Sequence, residues 1–514
     1  MIYATIIARS RTNIEELTYS VPANIIPYIR VGSLVVVPLR QKLVQGVVVG
    51  LSRRVSADIR DKVRPVESVS KMGMGFSPAR VRVIERLAEI SGSSLGEVAT
   101  SALRLPETLM VGELTPKRLK PIVWQATWPK RLEFYLALIK KHSAHHRLVF
   151  VFALGEHASI LAEAVGEKAM IIDDNVLSRK KPPEFSKNII IGTLSAIFFP
   201  LKPADYLIID QPDQLGLRQQ HRPYLSAKTI AMTRGEIEGV QVVFGSTLLA
   251  VADVGRIKNR DWKLFNHLKP SAALTIINRH GSRDELLPST LETIKRALTA
   301  GRALIFSAYK DEAFARLRAA LPQKPAEISS PNNIVPGNTK LVLATEKILS
   351  FPNQRFEITV MTDVERFLGG KNLDDPWKFL AILFELGELS PKIIIQTYEP
   401  DHWVFQAFGG NIGRFYATEL KERQRYQLPP YGTEIKIIGV AKSEAELLTQ
   451  AKKVVAEVEK LSWISQAGEF EVEKISPRNV FGHLTVYCPK AASISQKTRL
   501  KEVLPPAWRL LLDA

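Results

Sequence analysis

Short apolar runs alternate with polar stretches along the chain, and the rhythm of that alternation divides it into distinct regions. Near the N-terminus, Ile2–Ala8, Ser33–Pro38 and Leu43–Leu51 are apolar and β-branched, with turn-forming Pro and Gly between them. Such runs predict strands. Ser77 followed by Pro78 predicts a helix start: serine caps free N–H groups, and proline has none to leave unsatisfied. Val81, Ile84, Leu87 and Ala88 then recur at helical spacing, and Ser94 with Glu97 predicts a capping box. Residues 1–110 read as a β-rich domain ending in helices, and 111–120 (VGELTPKRLK) as a linker.

The pattern then changes. Strands are predicted at Leu148–Leu154, Ala169–Ile172, Asn188–Ile191, Tyr206–Ile209 and Val240–Gly245, with a helix at Ala158–Val165. A second series follows: a helix at Leu291–Leu298 and strands at Ala303–Ser307, Lys340–Ala344, Glu357–Thr362 and Lys392–Thr397. Buried strands alternating with helices imply parallel sheets covered on both faces. The expectation is an α/β protein with two RecA-like lobes, 121–265 and 266–430; two unrelated Rossmann-type domains are the alternative. In 431–514 the order is strand (Glu434–Val440), helix (Glu444–Leu461), strands (Phe470–Lys474, His483–Tyr487), helix (Ser493–Val503) and strand (Trp508–Leu512). That is the split βαβ arrangement.

Composition narrows the class. The chain has 514 residues, 46% hydrophobic and 24% charged, which suits a folded protein with sizeable cores. No apolar stretch is long enough to span a bilayer, and MIYATIIARSRTN does not read as an export signal. The single Cys488 excludes an internal disulfide and a four-cysteine zinc site. A cytoplasmic, nucleoid-associated setting is expected. The net charge of +18 favours polyanions: DNA, RNA or an anionic membrane. Between Arg30 and Arg64 there are eight basic residues and two acidic ones.

A RecA-like pair is expected to hold a nucleotide between its lobes, which needs a glycine-rich loop, a lysine and a Ser/Thr hydroxyl. No such string exists. Gly369-Gly370-Lys371-Asn372 lacks the first glycine and the hydroxyl, and Trp124–Lys141 contains no glycine. Pro129, at the turn, has no N–H to offer a phosphate. Asp210 ends an apolar strand where an ATPase places its magnesium-linked aspartate, but Gln211-Pro212-Asp213 follows, without a water-polarising glutamate. Asp173-Asp174, Asp374-Asp375, His145-His146 and Ser246 show no metal-ligand or nucleophile spacing. The reading is of no catalytic residue, no cofactor and no metal.

Several strings together resemble the primosomal protein N′ (PriA) family of replication restart proteins. They are TYSVP (Thr18–Pro22), VGSLVVVPLRQKLVQGVVVG (Val31–Gly50), IIIGTLSAIFFPLKPADYLIID (Ile189–Asp210), RPYLSAKTIA (Arg222–Ala231), IIQTYEPDHWVFQA (Ile394–Ala407) and FYATELKERQRYQLPPYG (Phe415–Gly432). The resemblance implies a DNA 3′-end-binding domain, helicase lobes and DNA as partner. It also shows departures. Arg131 stands in place of the phosphate-binding lysine and Leu132 in place of its Ser/Thr, while Trp128 and Lys130 replace glycines. Asp210-Gln211 is what remains of the magnesium-aspartate box. AILFELGELS stands where the family carries its arginine-finger motif, and the zinc module and winged-helix insert are missing. The chain thus resembles the shortened, ATPase-deficient actinobacterial type. In the 3′-end pocket, Leu17 and Thr18 replace an aromatic–acidic pair before Tyr19, Arg40 replaces a glycine and Arg64 matches a lysine.

The residues expected to contact DNA are Arg40, Lys42, Arg53, Arg54, Arg64 and Arg478. Phe481 and Tyr487 read as core more readily than as stacking rings, and Lys421, Arg423 and Arg425 as a solvated face. The leading reading is a restart protein that recognises forked or branched DNA and helps reload the replicative helicase without hydrolysing ATP. Its expected partners are single-strand/duplex junctions, other primosome proteins, the replicative helicase and single-strand binding protein, with no membrane. The alternatives are a divergent ATP-dependent 3′-5′ helicase and an RNA- or ribosome-associated scaffold.

Overall fold

A computed structural model describes the chain except residues 1, 10–15, 70–73, 106, 109–116, 174–175, 177–185, 220–222, 309–310, 329–338, 370–372, 476–479, 490–495, 497–498, 501, 506–507 and 512–514. Arg478, Asp174, the Gly370–Asn372 string, Arg222, most of the linker and most of the 493–503 helix lie outside the described residues.

The N-terminal strands are β1 (Ile2–Ala8), β2 (Glu16–Val21), β3 (Leu34–Leu39), β4 (Lys42–Ser52) and β5 (Ser68–Val69). They pair antiparallel in the order β2-β1-β4-β3-β5. Ser20 bridges to Pro65, and the Val66 N–H donates to the Ser20 carbonyl at 2.9 Å. That contact joins the two open edges of the sheet. Helix α1 (Pro78–Ser91) begins as its sequence predicts, with the Ser77 side chain accepting from the Arg80 N–H. The capping box of Ser94 and Glu97 starts α2 (Leu95–Ala102). Arg80 fastens α1 to the next region: it is buried, and its Nη1 donates to the Leu105 carbonyl at 3.0 Å. Its Nη2 donates to the Phe198 carbonyl at 2.5 Å, and its Nε lies 3.6 Å from Glu238.

Two parallel sheets form the centre. The first contains β6 (Ile122–Gln125), β7 (Leu148–Phe152), β8 (Ala169–Ile172), β9 (Ile189–Gly192), β10 (Tyr206–Asp210), β11 (Gln241–Ser246) and β12 (Lys263–Asn266), in the order β8-β9-β7-β10-β11-β6-β12. Helices α3 (Trp128–His142), α4 (Gly155–Val165) and α5 (Ala227–Ile237) cover it. The second contains β13 (Ala273–Asn278), β14 (Ala303–Ser307), β15 (Ala326–Ile328), β16 (Leu341–Ala344), β17 (Ile358–Thr362) and β18 (Lys392–Thr397), in the order β13-β18-β17-β14-β16-β15. Around it lie α6 (Pro288–Ala300), α7 (Asp311–Ala320), α8 (Asp375–Leu389), α9 (Trp403–Phe408) and α10 (Ile412–Arg425). Strands such as LVFVF and ITVMT are buried along their whole length, as strands covered on both faces must be.

The last unit comprises β19 (Gly432–Ala441), α11 (Glu444–Glu459), β20 (Gln466–Ile475), β21 (Val480–Pro489) and β22 (Arg509–Leu511). All its strand pairs are antiparallel, in the order β20-β21-β19-β22. β21 lies between β19 and β20, which is the split βαβ topology. The fold is therefore α/β, with a β-rich N-terminal unit and two RecA-like parallel sheets at its centre.

Candidate functional site: a filled interlobe crevice and two basic clusters

Register brings the ends of three strands of the first lobe together. Asp210 pairs with Gly245, and Gly245 with Trp124. In open parallel sheets the crevice beyond such carboxyl ends is where ligands bind. Here protein side chains fill it. Arg131, in the first turn of α3, is fully buried. Its Nε donates to Asp210 Oδ1 at 2.8 Å, and its Nη1 to the Ala126 carbonyl at 2.7 Å and Thr247 Oγ1 at 2.9 Å. Nη1 also reaches Glu385 Oε1 of α8, in the second lobe, at 2.9 Å. The Tyr135 hydroxyl donates to Asp210 Oδ1 at 2.6 Å. A Cβ at Gly245 would lie 1.7 Å from that hydroxyl, so glycine is required there. Gln211 donates to Thr247 Oγ1 at 2.7 Å, and Thr247 in turn donates to Glu385.

The N-terminus of α3 is also occupied. The Trp128 N–H donates to Glu385 Oε2 at 3.1 Å, and the Thr127 hydroxyl to Glu388 Oε1 at 2.9 Å. A helix N-terminus offers free N–H groups and the positive end of a dipole, and so attracts anions. Two carboxylates of α8 supply the negative charge here. The Trp128 ring stacks on His157 with centroids 3.8 Å apart. Lys130 turns outward to Glu133 at 3.0 Å, and Leu132 packs against the core of the first lobe. The four loop positions therefore serve four different local purposes.

Burial alone would lift the Asp210 pKa. Arg131 outweighs it, helped by His157 and Tyr135, and holds the carboxyl below its ordinary value. Burial likewise opposes the charge on Arg131, but Asp210 and Glu385 keep it protonated. Further bonds tie the lobes: Trp377 Nε1 and the Tyr416 hydroxyl both donate to the Leu249 carbonyl, at 3.0 and 2.6 Å. Arg423 corrects an expectation. It is not on a solvated face but buried, with Nη2 at 2.8 Å from Asp374 and Nε at 3.3 Å from Glu419. Lys421 and Arg425 are exposed.

The basic N-terminal residues fall into two clusters. Arg40 stands at the β3–β4 hairpin tip with a positive φ of 54°. Arg64 Nη1 donates to its carbonyl at 2.9 Å, and Lys42 begins β4 beside it. The Tyr19 hydroxyl donates to the Pro38 carbonyl at 3.1 Å, next to this tip. Burial raises the Tyr19 pKa, and Arg64 acts against that rise. Arg53 and Arg54 follow the far end of β4, eleven residues long, so about 30 Å separates them from the tip at the usual strand rise. The structure thus brings Arg40, Lys42 and Arg64 together and leaves Arg53 and Arg54 apart. Leu17 and Thr18 are half-buried in β2. Phe481 and Tyr487 are half-buried on the face of β21 opposite Leu484 and Val486.

Sequence reasoning missed Glu385, Glu388, Tyr135, Thr247 and His157. The available signal was two carboxylates within the apolar run AILFELGEL, where uncompensated charge would be costly.

Among the described residues, no group of His, Cys, Asp and Glu is arranged to hold a metal ion, and no helix is long and apolar enough to cross a membrane. Residues 10–104 match a family described as the 3′DNA-binding domain of PriA. The chain is 32% identical over 132 residues to the replication restart protein PriA of Synechocystis sp., covering 25% of this chain and 16% of that protein. It is 20% identical over 329 residues to PriA of Rickettsia conorii, covering 56% of this chain and 49% of that one. The matches thus span less than half the length of these relatives. Among solved structures, yeast Dbp5 bound to RNA and ADP BeF3 covers 68% of this chain and 97% of its own, at 13% identity and a TM-score of 0.38.

Proposed function

The chain is a relative of the replication restart proteins PriA, and on that premise we propose that it recognises stalled or branched replication forks and helps reload the replicative helicase without hydrolysing ATP. The match of residues 10–104 to a PriA 3′DNA-binding domain and the likeness to PriA proteins support a DNA-binding role in replication restart. The finer reading rests on one observation: Arg131, held between Asp210 and Glu385, fills the crevice where a helicase would seat its triphosphate. Two carboxylates face one guanidinium there, so a triphosphate would meet excess negative charge. It would also find the α3 N-terminus already bonded to Glu385.

The missing elements act at the transition state. Loss of an arginine finger alone costs on the order of 10³–10⁵ in rate. The lobes would then serve as a frame that presents DNA to other primosome proteins, the replicative helicase and single-strand binding protein, at the nucleoid. The basic hairpin tip of Arg40, Lys42 and Arg64 supplies phosphate contacts that fix position on the DNA. A gel shift at moderate salt tests the reading. Forked DNA should bind more tightly than plain duplex of equal length. Equal affinity would contradict fork recognition.

A further inference from the structure

We propose that the outer edge of the first lobe, along β12, is a contact for single-stranded DNA, separate from the N-terminal unit. This goes beyond the function proposed above. β12 ends its sheet, and all four of its residues, Lys263–Asn266, are exposed. Phe265 is 44% exposed, an unusual place for a large ring. It lies opposite Trp124 in register, so the two side chains share a face of the sheet. Trp124 stacks on Phe134 of α3, with centroids 3.9 Å apart and planes 2° from parallel, and on His267 at 4.2 Å. Phe265 extends the group at 5.9 Å. Ring surface thus runs outward from the lobe along the seam between α3 and β12, ending in solvent.

Basic residues flank this strip along the chain. Residues 256–269 carry Arg256, Lys258, Arg260, Lys263 and Lys269 against a single acidic residue, Asp261. Arg256 pairs with Asp253 and lies over Trp262. Lys258, Arg260, Lys263 and Lys269 are exposed and have no ion-pair partner among the described residues. Exposed rings set among cations suit single-stranded DNA, whose bases stack on rings while phosphates meet the cations. A peptide strand added to the edge is the competing occupant. Lysine on an edge strand is a common device against such pairing, so the charge and the rings favour the nucleic acid.

The test uses fluorescein-labelled oligothymidine and the full chain. Phe265→Ala should weaken binding about fivefold or more. Lys263→Ala with Lys269→Ala should weaken it and reduce the slope of log affinity against log salt by more than about one. Every substituted residue is exposed, and thermal melts would confirm that the variants fold. As a second readout on the unsubstituted protein, 4-thiothymidine in the oligonucleotide should crosslink within residues 256–269. Arg40→Ala with Arg64→Ala should lower fork affinity while leaving oligothymidine binding intact, so failure of the fork reading is distinguishable from failure of this one. Unchanged oligothymidine affinity in the β12 variants, with crosslinks confined to other segments, would overturn the proposal. So would capture of an acidic peptide at this edge that leaves oligothymidine binding unaffected.

Discussion

Removing the Arg131 guanidinium would leave Asp210 and its Tyr135 partner buried without a compensating cation. Breaking a buried pair from one side costs about 3–5 kcal/mol, far more than replacing both partners with neutral groups of similar size. Arg131→Met should therefore lower the denaturation midpoint strongly, and adding Asp210→Asn with Glu385→Gln should recover most of the loss; urea unfolding followed by fluorescence would show it. The same pair sets an acid limit. Asp210 is held below its ordinary pKa of 3.8. A depressed carboxyl contributes stability that is present above its unfolded pKa and is lost as pH falls through the lower folded value. Asp213 nearby works in the opposite sense, because burial raises its pKa. Unfolding midpoints measured while pH falls below 3.8 should drop less steeply for Asp210→Asn than for the parent. At residue scale the sequence revealed that the phosphate-loop lysine, hydroxyl and glycines are absent. It did not reveal what replaced them, because Glu385 lies 254 residues from Arg131 and only the fold joins them.

Helices α3 and α8 carry that replacement as elements. The start of α3 was legible as a loop without glycine, and most central strands of both lobes were legible because fully buried strands read as unbroken apolar runs. Strands β2, β6, β12, β13 and β15 were not. ELTYSV alternates weakly, IVWQ is only four residues long and AEI three, KLFN is exposed throughout and ALTIIN is only partly buried, so none produces a strong periodic signal. Arg423 was misjudged because charge on a helix usually means solvent, whereas Asp374 and Glu419 surround this one. Since Glu385 already takes the Trp128 N–H and Pro129 has none, restoring the two missing side chains should not restore the site. Arg131→Lys with Leu132→Thr is expected to give no DNA-stimulated phosphate release in a coupled assay. In the N-terminal unit, the two ends of β4 should behave separately. Arg40→Ala with Arg64→Ala should flatten the salt dependence of fork binding by about two, one per lost phosphate contact. A similar change from Arg53→Ala with Arg54→Ala would mean that DNA spans the whole strand.

At the scale of the whole molecule, the crevice that divides a RecA-like pair is here one of its fastenings. Arg131 and Thr127 meet Glu385 and Glu388, and Trp377 and Tyr416 meet the Leu249 carbonyl. Arg80 in turn docks the N-terminal unit onto the first lobe. Under the function proposed above, nucleotide-driven opening and closing would have no place in such an arrangement. The resemblance to the restart family was readable along most of the chain, whereas the fastening required the packed structure. The most direct measurement is a calorimetric titration of the full chain with magnesium–ATP, paired with an ATPase assay on forked DNA. The account predicts no binding heat and no phosphate release above background. Saturable heat that disappears in Arg131→Ala, accompanied by turnover on the fork, would contradict it.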